Sequence, residues 1–248
     1  MRKTILITGA SAGLGAEMAR QFAALGHDLA LAARRTERLE DLKAELAELA
    51  PDVRVELRAL DVTDDEAVFE VFRAFREDFG TIDRVVVNAG IGKGAALGTG
   101  HHAANRETAM TNFVAALAQA DAAMEIFRAQ NAGHLVMISS MSAMRGLPKS
   151  MTTYAATKAA VAHLAEGLRN ELYGKPIKVT VLYPGYIASE MNEGVPAVRF
   201  MVSTEKGVAA MVDAIEKEKA SACVPPLPWA PLSVAMKYAP LPVFKRLM

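Results

Sequence analysis

The chain has 248 residues, with 28 Lys+Arg balanced by 28 Asp+Glu and a single cysteine, Cys223. Zero formal net charge removes the electrostatic case for nucleic acid, one cysteine excludes an internal disulfide and fits a reducing, cytoplasmic compartment, and no apolar run reaches the roughly 18 residues of a membrane-spanning helix. The length suits one α/β domain with an Ala-rich core, and no Pro/Gly/Ser-rich linker divides it.

Residues 4–8 form an apolar run rich in β-branched side chains, followed by Gly9-Ala10-Ser11-Ala12-Gly13-Leu14-Gly15 and a helical pattern through Met18, Phe22 and Leu25 that ends at Gly26. This predicts strand, glycine turn, helix. Glycines there let backbone approach a ligand with no Cβ in the way, and the helix N-terminus offers unpaired N–H groups to a phosphate. The glycine spacing differs from G-x-G-x-x-G, and the Gly-Lys-Ser/Thr ending of a P-loop is absent, which argues against a phosphotransferase. Residues 29–33 form a second buried strand that ends without a carboxylate, and Arg34-Arg35 follow before a helix that Thr36 can cap. Arginines at that place suit the 2′-phosphate of NADP, whereas an acid would suit the ribose of NAD; the plainer reading is that both cover a surface. Asp28, at the far end of the strand, is a turn residue.

A third strand over residues 53–60 closes on Asp61-Val62, a helix over 64–79 buries Val68, Val71, Phe72 and Phe75, and a fourth strand over 83–87 ends at Asn88-Ala89-Gly90. The alternation predicts a parallel sheet covered on both faces, with ligands at the carboxyl ends of its strands, where the glycine turn, Arg34, Asp61 and Asn88 converge. A Gly/Ala loop over 91–103 carries His101-His102, read as solvated because no third ligand is spaced for a metal; no metal is expected. Then come a long helix over about 104–130 containing Asn112, a strand over 134–138 ending in Ser139-Ser140, a helix over 153–173, a strand over 177–182 leading to Tyr183-Pro184-Gly185, a helix over 204–219 and a strand over 221–224.

Tyr154 and Lys158 lie four residues apart near the start of the 153–173 helix, hence on one face. A cation beside a phenol stabilises the phenolate and brings a pKa near 10 toward useful range, so the pair can run acid–base chemistry.

In order and spacing, Thr8-Gly9-Ala10-Ser11-Ala12-Gly13-Leu14-Gly15, Asp61-Val62, Asn88-Ala89-Gly90, Asn112, Ser140, Tyr154 with Lys158, and Pro184-Gly185 resemble the short-chain dehydrogenase/reductase family, along nearly the whole chain to about residue 225. The resemblance implies a three-layer Rossmann-type doubly wound parallel sheet of about seven strands, an NAD(P)-dependent oxidoreductase acting on CH-OH or C=O groups, and an Asn112-Ser140-Tyr154-Lys158 tetrad. It implies that Tyr154 exchanges a proton with the substrate oxygen, that Lys158 holds the nicotinamide ribose, that Ser140 orients the carbonyl, and that Asn112 holds a water linking Lys158 to solvent. Asp61 is then expected beside the adenine, Asn88 near the cofactor ribose, and Pro184, Gly185, Ile187 and Ser189 beside the nicotinamide. Two long helices are expected to pair across a two-fold axis, giving a homodimer or homotetramer. The interval from Ser140 to Tyr154 is one residue longer than the family's usual one, which leaves Ser142 as a competitor; the extra residue is assigned to residues 149–153.

Residues 1–225 are thus expected to form the dinucleotide-binding and catalytic domain, and residues 226–248 an extension acting as a lid, a dimer arm or a peripheral membrane segment. Val195, Pro196, Val198, Phe200, Met201 and Val202 correspond to the family's substrate loop, and Met144, Leu147 and Met151 lie between Ser140 and Tyr154. An apolar lining suits a hydrophobic ketone, aldehyde or secondary alcohol; the plainer reading is that these residues pack against the tail. The expected activity is NADPH-dependent carbonyl reduction, with NADP(H) favoured over NAD(H); the alternatives are an NAD-preferring alcohol dehydrogenase and a non-catalytic NADP-binding sensor.

Overall fold

A computed structural model describes residues 3–190 and 200–247. Its centre is a seven-stranded, all-parallel sheet in the order β3-β2-β1-β4-β5-β6-β7. The strands are β1 (Thr4–Thr8), β2 (Asp28–Ala33), β3 (Val55–Ala59), β4 (Arg84–Val87), β5 (Gly133–Ile138), β6 (Ile177–Pro184) and β7 (Ser221–Val224). The helices are α1 (Gly13–Ala24), α2 (Thr36–Leu49), α3 (Asp65–Phe79), α4 (His102–Ala109), α5 (Ala115–Gln130), α6 (Met151–Glu171), α7 (Thr204–Glu216), α8 (Pro226–Tyr238) and α9 (Leu241–Leu247). Among the described residues, no helix is long and apolar enough to cross a membrane.

Alternation along the strands builds two cores. On β1, Ile5 and Ile7 point to the layer of α1, α2 and α7, with Phe22, Leu39 and Met211, while Leu6 points to the opposite layer of α3, α5 and α6, with Phe72, Phe127 and Val161. Both faces are therefore apolar, as a buried parallel strand requires. Strand order runs outward from β1 on one side and from β4 on the other, so a crevice opens at their carboxyl ends.

Several boundaries differ from the sequence reading for local reasons. β3 is shorter, because the Val53 N–H closes a turn on the Ala50 carbonyl. α7 stops at Glu216, where Glu218 turns left-handed and the next N–H groups fold back onto the Ile215 and Ala214 carbonyls. The predicted helix over 104–130 is interrupted by a π-helical turn, Met110–Val114, centred on Asn112. Residues 226–247 form α8 and α9, joined at Ala239-Pro240.

Candidate active site

The carboxyl end of β1 runs into Gly9, whose φ of +66° favours a residue without a side chain. A Cβ on Gly9 would stand 2.9 Å from Ala89 Cα, and one on Gly15 only 2.3 Å from the Gly9 carbonyl oxygen. The turn is packed so tightly on itself that only glycine fits. α1 begins at Gly13 with no side chain capping it at Ala12, which leaves its first N–H groups and the positive end of its dipole facing the crevice. This bare cradle fits the phosphates of a dinucleotide. Leu14 and Ser11 flank it.

The end of β4 buttresses this turn. Asn88 donates from Nδ2 to the Thr8 carbonyl at 3.0 Å, and the Thr8 hydroxyl accepts from the Asn88 and Ala89 N–H groups at 3.1 and 3.3 Å. Asn88, expected near the cofactor ribose, thus holds two strand ends together. Asp61, after β3, accepts from the Thr63 N–H and hydroxyl at 3.0 and 2.8 Å, and these bonds hold its carboxyl below the ordinary range. Val62 beside it is buried. Arg34 extends from the end of β2 to within 3.9 Å of Asp61 and is largely exposed. Arg35 turns the other way, donating from Nε to Ser11 Oγ at 3.3 Å.

Across the crevice, Ser139 and Ser140 end β5, and Tyr154 and Lys158 lie on the first two turns of α6. The Ser139 hydroxyl donates to the Lys158 carbonyl at 2.7 Å, fixing α6 to the strand end. Lys158 is only 6% exposed; its Nζ donates to the Ile138 carbonyl at 2.9 Å and lies 5.8 Å from the centre of the Tyr154 ring. Burial pulls the Lys158 ammonium down to about 8. Burial pushes the Tyr154 phenol up, while its hydrogen bond with the Ser140 side chain pulls the other way. Desolvation is the largest influence on both groups, raising the phenol and bringing the lysine toward neutrality. Gly90 makes room for this arrangement, since a Cβ there would lie 3.5 Å from Lys158 Nζ and 3.2 Å from Asn112 Oδ1.

Asn112 is buried, but its amide is committed: Oδ1 accepts from the Ile91 N–H at 2.8 Å and Nδ2 donates to the Ile91 carbonyl at 2.9 Å. It pins the loop after β4 to the π turn. Asn105, one face further along α4, holds the Ala95 N–H and carbonyl in the same way at 3.0 and 3.1 Å.

After β6, the Gly185 N–H donates to the Val224 carbonyl at 3.0 Å and Pro184 is buried. Ile187 is buried over Gly207, and Ser189 lies over the phosphate cradle, its Cβ 3.5 Å from where a Cβ on Gly13 would stand. The site residues predicted from sequence therefore gather along one edge of the sheet, at the carboxyl ends of β1, β2, β3, β4, β5 and β6.

Residues 3–199 match the profile of the short chain dehydrogenase family. The chain belongs to this family. It is 54% identical over 231 residues to an uncharacterized oxidoreductase of Mycobacterium tuberculosis, covering 93% of this chain and 91% of that one. Among solved structures, the short-chain dehydrogenase from Sphingobium yanoikuyae in complex with NADPH is 30% identical with a TM-score of 0.83, covering 94% and 93% of the two chains. The bulky-bulky ketone specific alcohol dehydrogenase from Comamonas testosteroni is 31% identical with a TM-score of 0.79, covering 94% and 91%. The protein is accordingly an NAD(P)-dependent oxidoreductase of alcohol and carbonyl groups.

In this short-chain dehydrogenase the two candidate serines differ in their surroundings. Ser140 Oγ accepts from the Ser142 N–H at 3.2 Å and is the serine that bonds the Tyr154 side chain, whereas Ser142 is turned into the buried side of the 3₁₀ turn Met141–Met144. Lys149 takes a left-handed φ of +60° ahead of α6, in the segment assigned the extra residue.

Three features escaped the sequence reading. Arg38, one turn into α2, and Arg35 both hold Glu190, Arg35 from Nη1 at 3.1 Å. Helical spacing from Arg34 and Arg35 was a usable signal for Arg38; nothing marked Glu190. The third is Trp229 on α8, 6% exposed, whose ring fills the space a Cβ on Gly185 would occupy and meets Tyr186 and Phe200 edge-on at 5.7 and 6.4 Å between centroids. Met201 and Val202 follow Phe200, and Ile187 pairs with Val202. Val195, Pro196 and Val198 lie outside the described residues.

Proposed function

We propose that this short-chain dehydrogenase reduces hydrophobic ketones or aldehydes with NADPH, and oxidises the corresponding alcohols in reverse, with Tyr154 as general acid and base. The observation that carries this reading is the convergence of Ser140, Tyr154 and buried Lys158 on the far side of one crevice from a glycine cradle rimmed by Arg34, Arg35 and Arg38. A bound nicotinamide supplies or accepts the hydride at the carbon. The chain supplies the rest. Gly9, Gly13, Gly15 and the α1 N-terminus bind the phosphates, and Arg34, Arg35 and Arg38 together hold the 2′-phosphate as Asp61, Val62, Ala89 and Asn88 wall the adenosine side. The Ser140 hydroxyl orients the carbonyl oxygen, and Tyr154 Oη gives up its proton as that oxygen becomes an alcohol. A phenol pushed up by burial is in the protonated form that reduction needs.

Lys158 Nζ, 5.8 Å from the phenol ring, is placed to stabilise the phenolate left behind and to bond the nicotinamide ribose. Tyr186, Trp229 and Phe200 with Met144, Leu147 and Met151 form the apolar surround for the substrate body. The bulky ketone named for the Comamonas relative and the NADPH named for the Sphingobium relative support this choice of substrate class and cofactor. We read α8 and α9 as a lid rim, because Arg145, next to the Ser140 turn, donates to the Met236 carbonyl at 3.3 Å and sits 4.7 Å from the Phe244 ring. Pairing of α5 and α6 with a second copy, in a cytoplasmic homodimer or homotetramer, belongs to the same reading.

An NAD preference is the second reading, and one observation favours it: Glu190 puts a carboxylate at the adenosine end of the crevice. Titration with NADPH and NADH, followed by tryptophan quenching, separates the two. The NADPH reading predicts binding at least about tenfold tighter for NADPH, lost in Arg34→Ala with NADH spared, and turnover of bulky apolar ketones over sugars and charged keto acids. Equal binding of both cofactors in wild type and mutant would reject it.

A further inference from the structure

Glu190 lies on the segment that leaves β6, more than 150 residues from the arginines it meets. One carboxylate oxygen, Oε2, is 3.1 Å from Arg35 Nη1, and the other, Oε1, bonds Arg38 Nη1. Arg35 is at the same time tied by Nε to Ser11 in the glycine turn, at 3.3 Å. Its neighbour Ser189 crosses directly over Gly13, the first residue of α1. The two residues thus form a short bar from the phosphate cradle to the α2 arginines. Arg34 stands outside this arrangement, 67% exposed and facing Asp61.

A carboxylate at the rim of a phosphate cradle would ordinarily repel an incoming phosphate, by like charge at close range. Here it is bound by two guanidiniums that present the donors a phosphate takes, one oxygen to each. Glu190 and a 2′-phosphate therefore ask for the same two side chains. We propose that Glu190 is an internal stand-in for the cofactor's 2′-phosphate, and that Arg38 and Glu190 set cofactor specificity: the 2′-phosphate of NADP takes Arg35 and Arg38 from Glu190 and opens the bar, whereas NAD leaves the Glu190 contacts intact. The proposal rests on the NADPH reading above. A phosphate with up to two negative charges outcompetes a single carboxylate, but only by the difference, so Glu190 lowers the affinity for NADP without touching that for NAD. All three side chains are near half-exposed, so the effect is screened by salt.

The test is calorimetric titration of the whole protein with 2′,5′-ADP and with 5′-AMP, which differ only in the 2′-phosphate, on wild type, Glu190→Gln, Arg38→Ala and the double variant. Exposed Glu190 and Arg38 tolerate these changes without loss of the fold. The expected result is about three- to tenfold tighter 2′,5′-ADP in Glu190→Gln, with 5′-AMP within about twofold of wild type, a gain that shrinks as salt rises. Arg38→Ala should weaken 2′,5′-ADP, and most of the Glu190→Gln gain should vanish in the double variant, because both act through one contact. Unchanged 2′,5′-ADP binding in Glu190→Gln, with wild type still favouring it over 5′-AMP, overturns the stand-in and leaves the NADPH reading in place. Weaker 5′-AMP and NADH binding in Glu190→Gln also overturns it, since the carboxylate would then be a ribose ligand. No preference for 2′,5′-ADP in any variant overturns both.

Discussion

Lys158 shows what the site costs at the level of one residue. Its ammonium is nearly out of water, with the Ile138 carbonyl as its hydrogen-bond partner, and burial brings its pKa from 10.5 to about 8. The unfolded chain keeps this proton up to about pH 10.5, while the folded chain releases it from about pH 8, so folding is penalised below pH 8 and the penalty fades between those values. A shift of that size is worth about 3 kcal/mol at pH 7, and removing the lysine leaves the Ile138 carbonyl without its partner at about 1 kcal/mol or more. Lys158→Met should therefore fold about 1 to 2 kcal/mol more stably at pH 7, with the gain shrinking above pH 8, while carbonyl reduction is lost. Urea denaturation at the two pH values, beside an activity assay, checks this; a variant less stable at pH 7 would show that Lys158 is a structural residue rather than a strained functional one.

Among the elements, the glycine turn, β4 and α6 are locked together, whereas α8 is held mainly by one side chain. Trp229 is buried against Gly185, where a Cβ would come within 2.0 Å of its ring, and Arg145 holds the C-terminal carbonyls of α8. Truncating a buried tryptophan costs about 3 to 5 kcal/mol where the site cannot collapse. In Trp229→Ala that loss should be confined to the tail: amide exchange in α8 and α9 should accelerate by orders of magnitude while β1, β4 and β5 keep their protection. Uniform acceleration across the sheet would mean that the tail is part of the core rather than a rim laid over it.

Across the whole molecule, the two ends of the sheet have opposite characters. The carboxyl ends carry the crevice; the amino ends carry a buried polar network in which fully buried Arg84 donates to His134 Nδ1 at 3.0 Å and to Glu216, and His134 Nε2 meets the Thr180 hydroxyl at 2.8 Å. Burial, then the nearby charges of Arg84 and Lys3, pull His134 down to about 3, and His27 is lowered by burial as well, despite Glu216. A histidine held neutral in the fold loses stability as pH falls below its unfolded value of 6.5, at up to about 1.4 kcal/mol per pH unit until its folded pKa is reached. Wild type should thus lose about 2 kcal/mol from His134 alone between pH 6.5 and 5, and His134→Asn should flatten that slope in denaturant titrations. An equal slope in the variant would assign acid lability elsewhere.

The strands, the crevice and the Gly9-Gly13-Gly15, Ser140 and Tyr154-Lys158 positions were legible because each rests on local spacing: alternation for strands, one helical turn for the pair, glycine for close approach. What was not legible depends on contacts far apart in the chain. The π turn at Asn112 exists because its amide captures Ile91, Arg38 matters only once Glu190 arrives from beyond β6, and the phenol's upward shift comes from burial that no four-residue spacing reveals.

The most direct test of the account is a single turnover. Enzyme loaded with NADPH is mixed with a bulky apolar ketone, and loss of the reduced nicotinamide is followed in wild type and Tyr154→Phe, with NADPH affinity measured separately for each. The account predicts cofactor affinity within about twofold and a rate lower by about a hundredfold or more in the variant, the range expected for removing a positioned proton donor. A Tyr154→Phe rate close to that of wild type would contradict it, because the proton would then reach the substrate oxygen by a route that bypasses Tyr154.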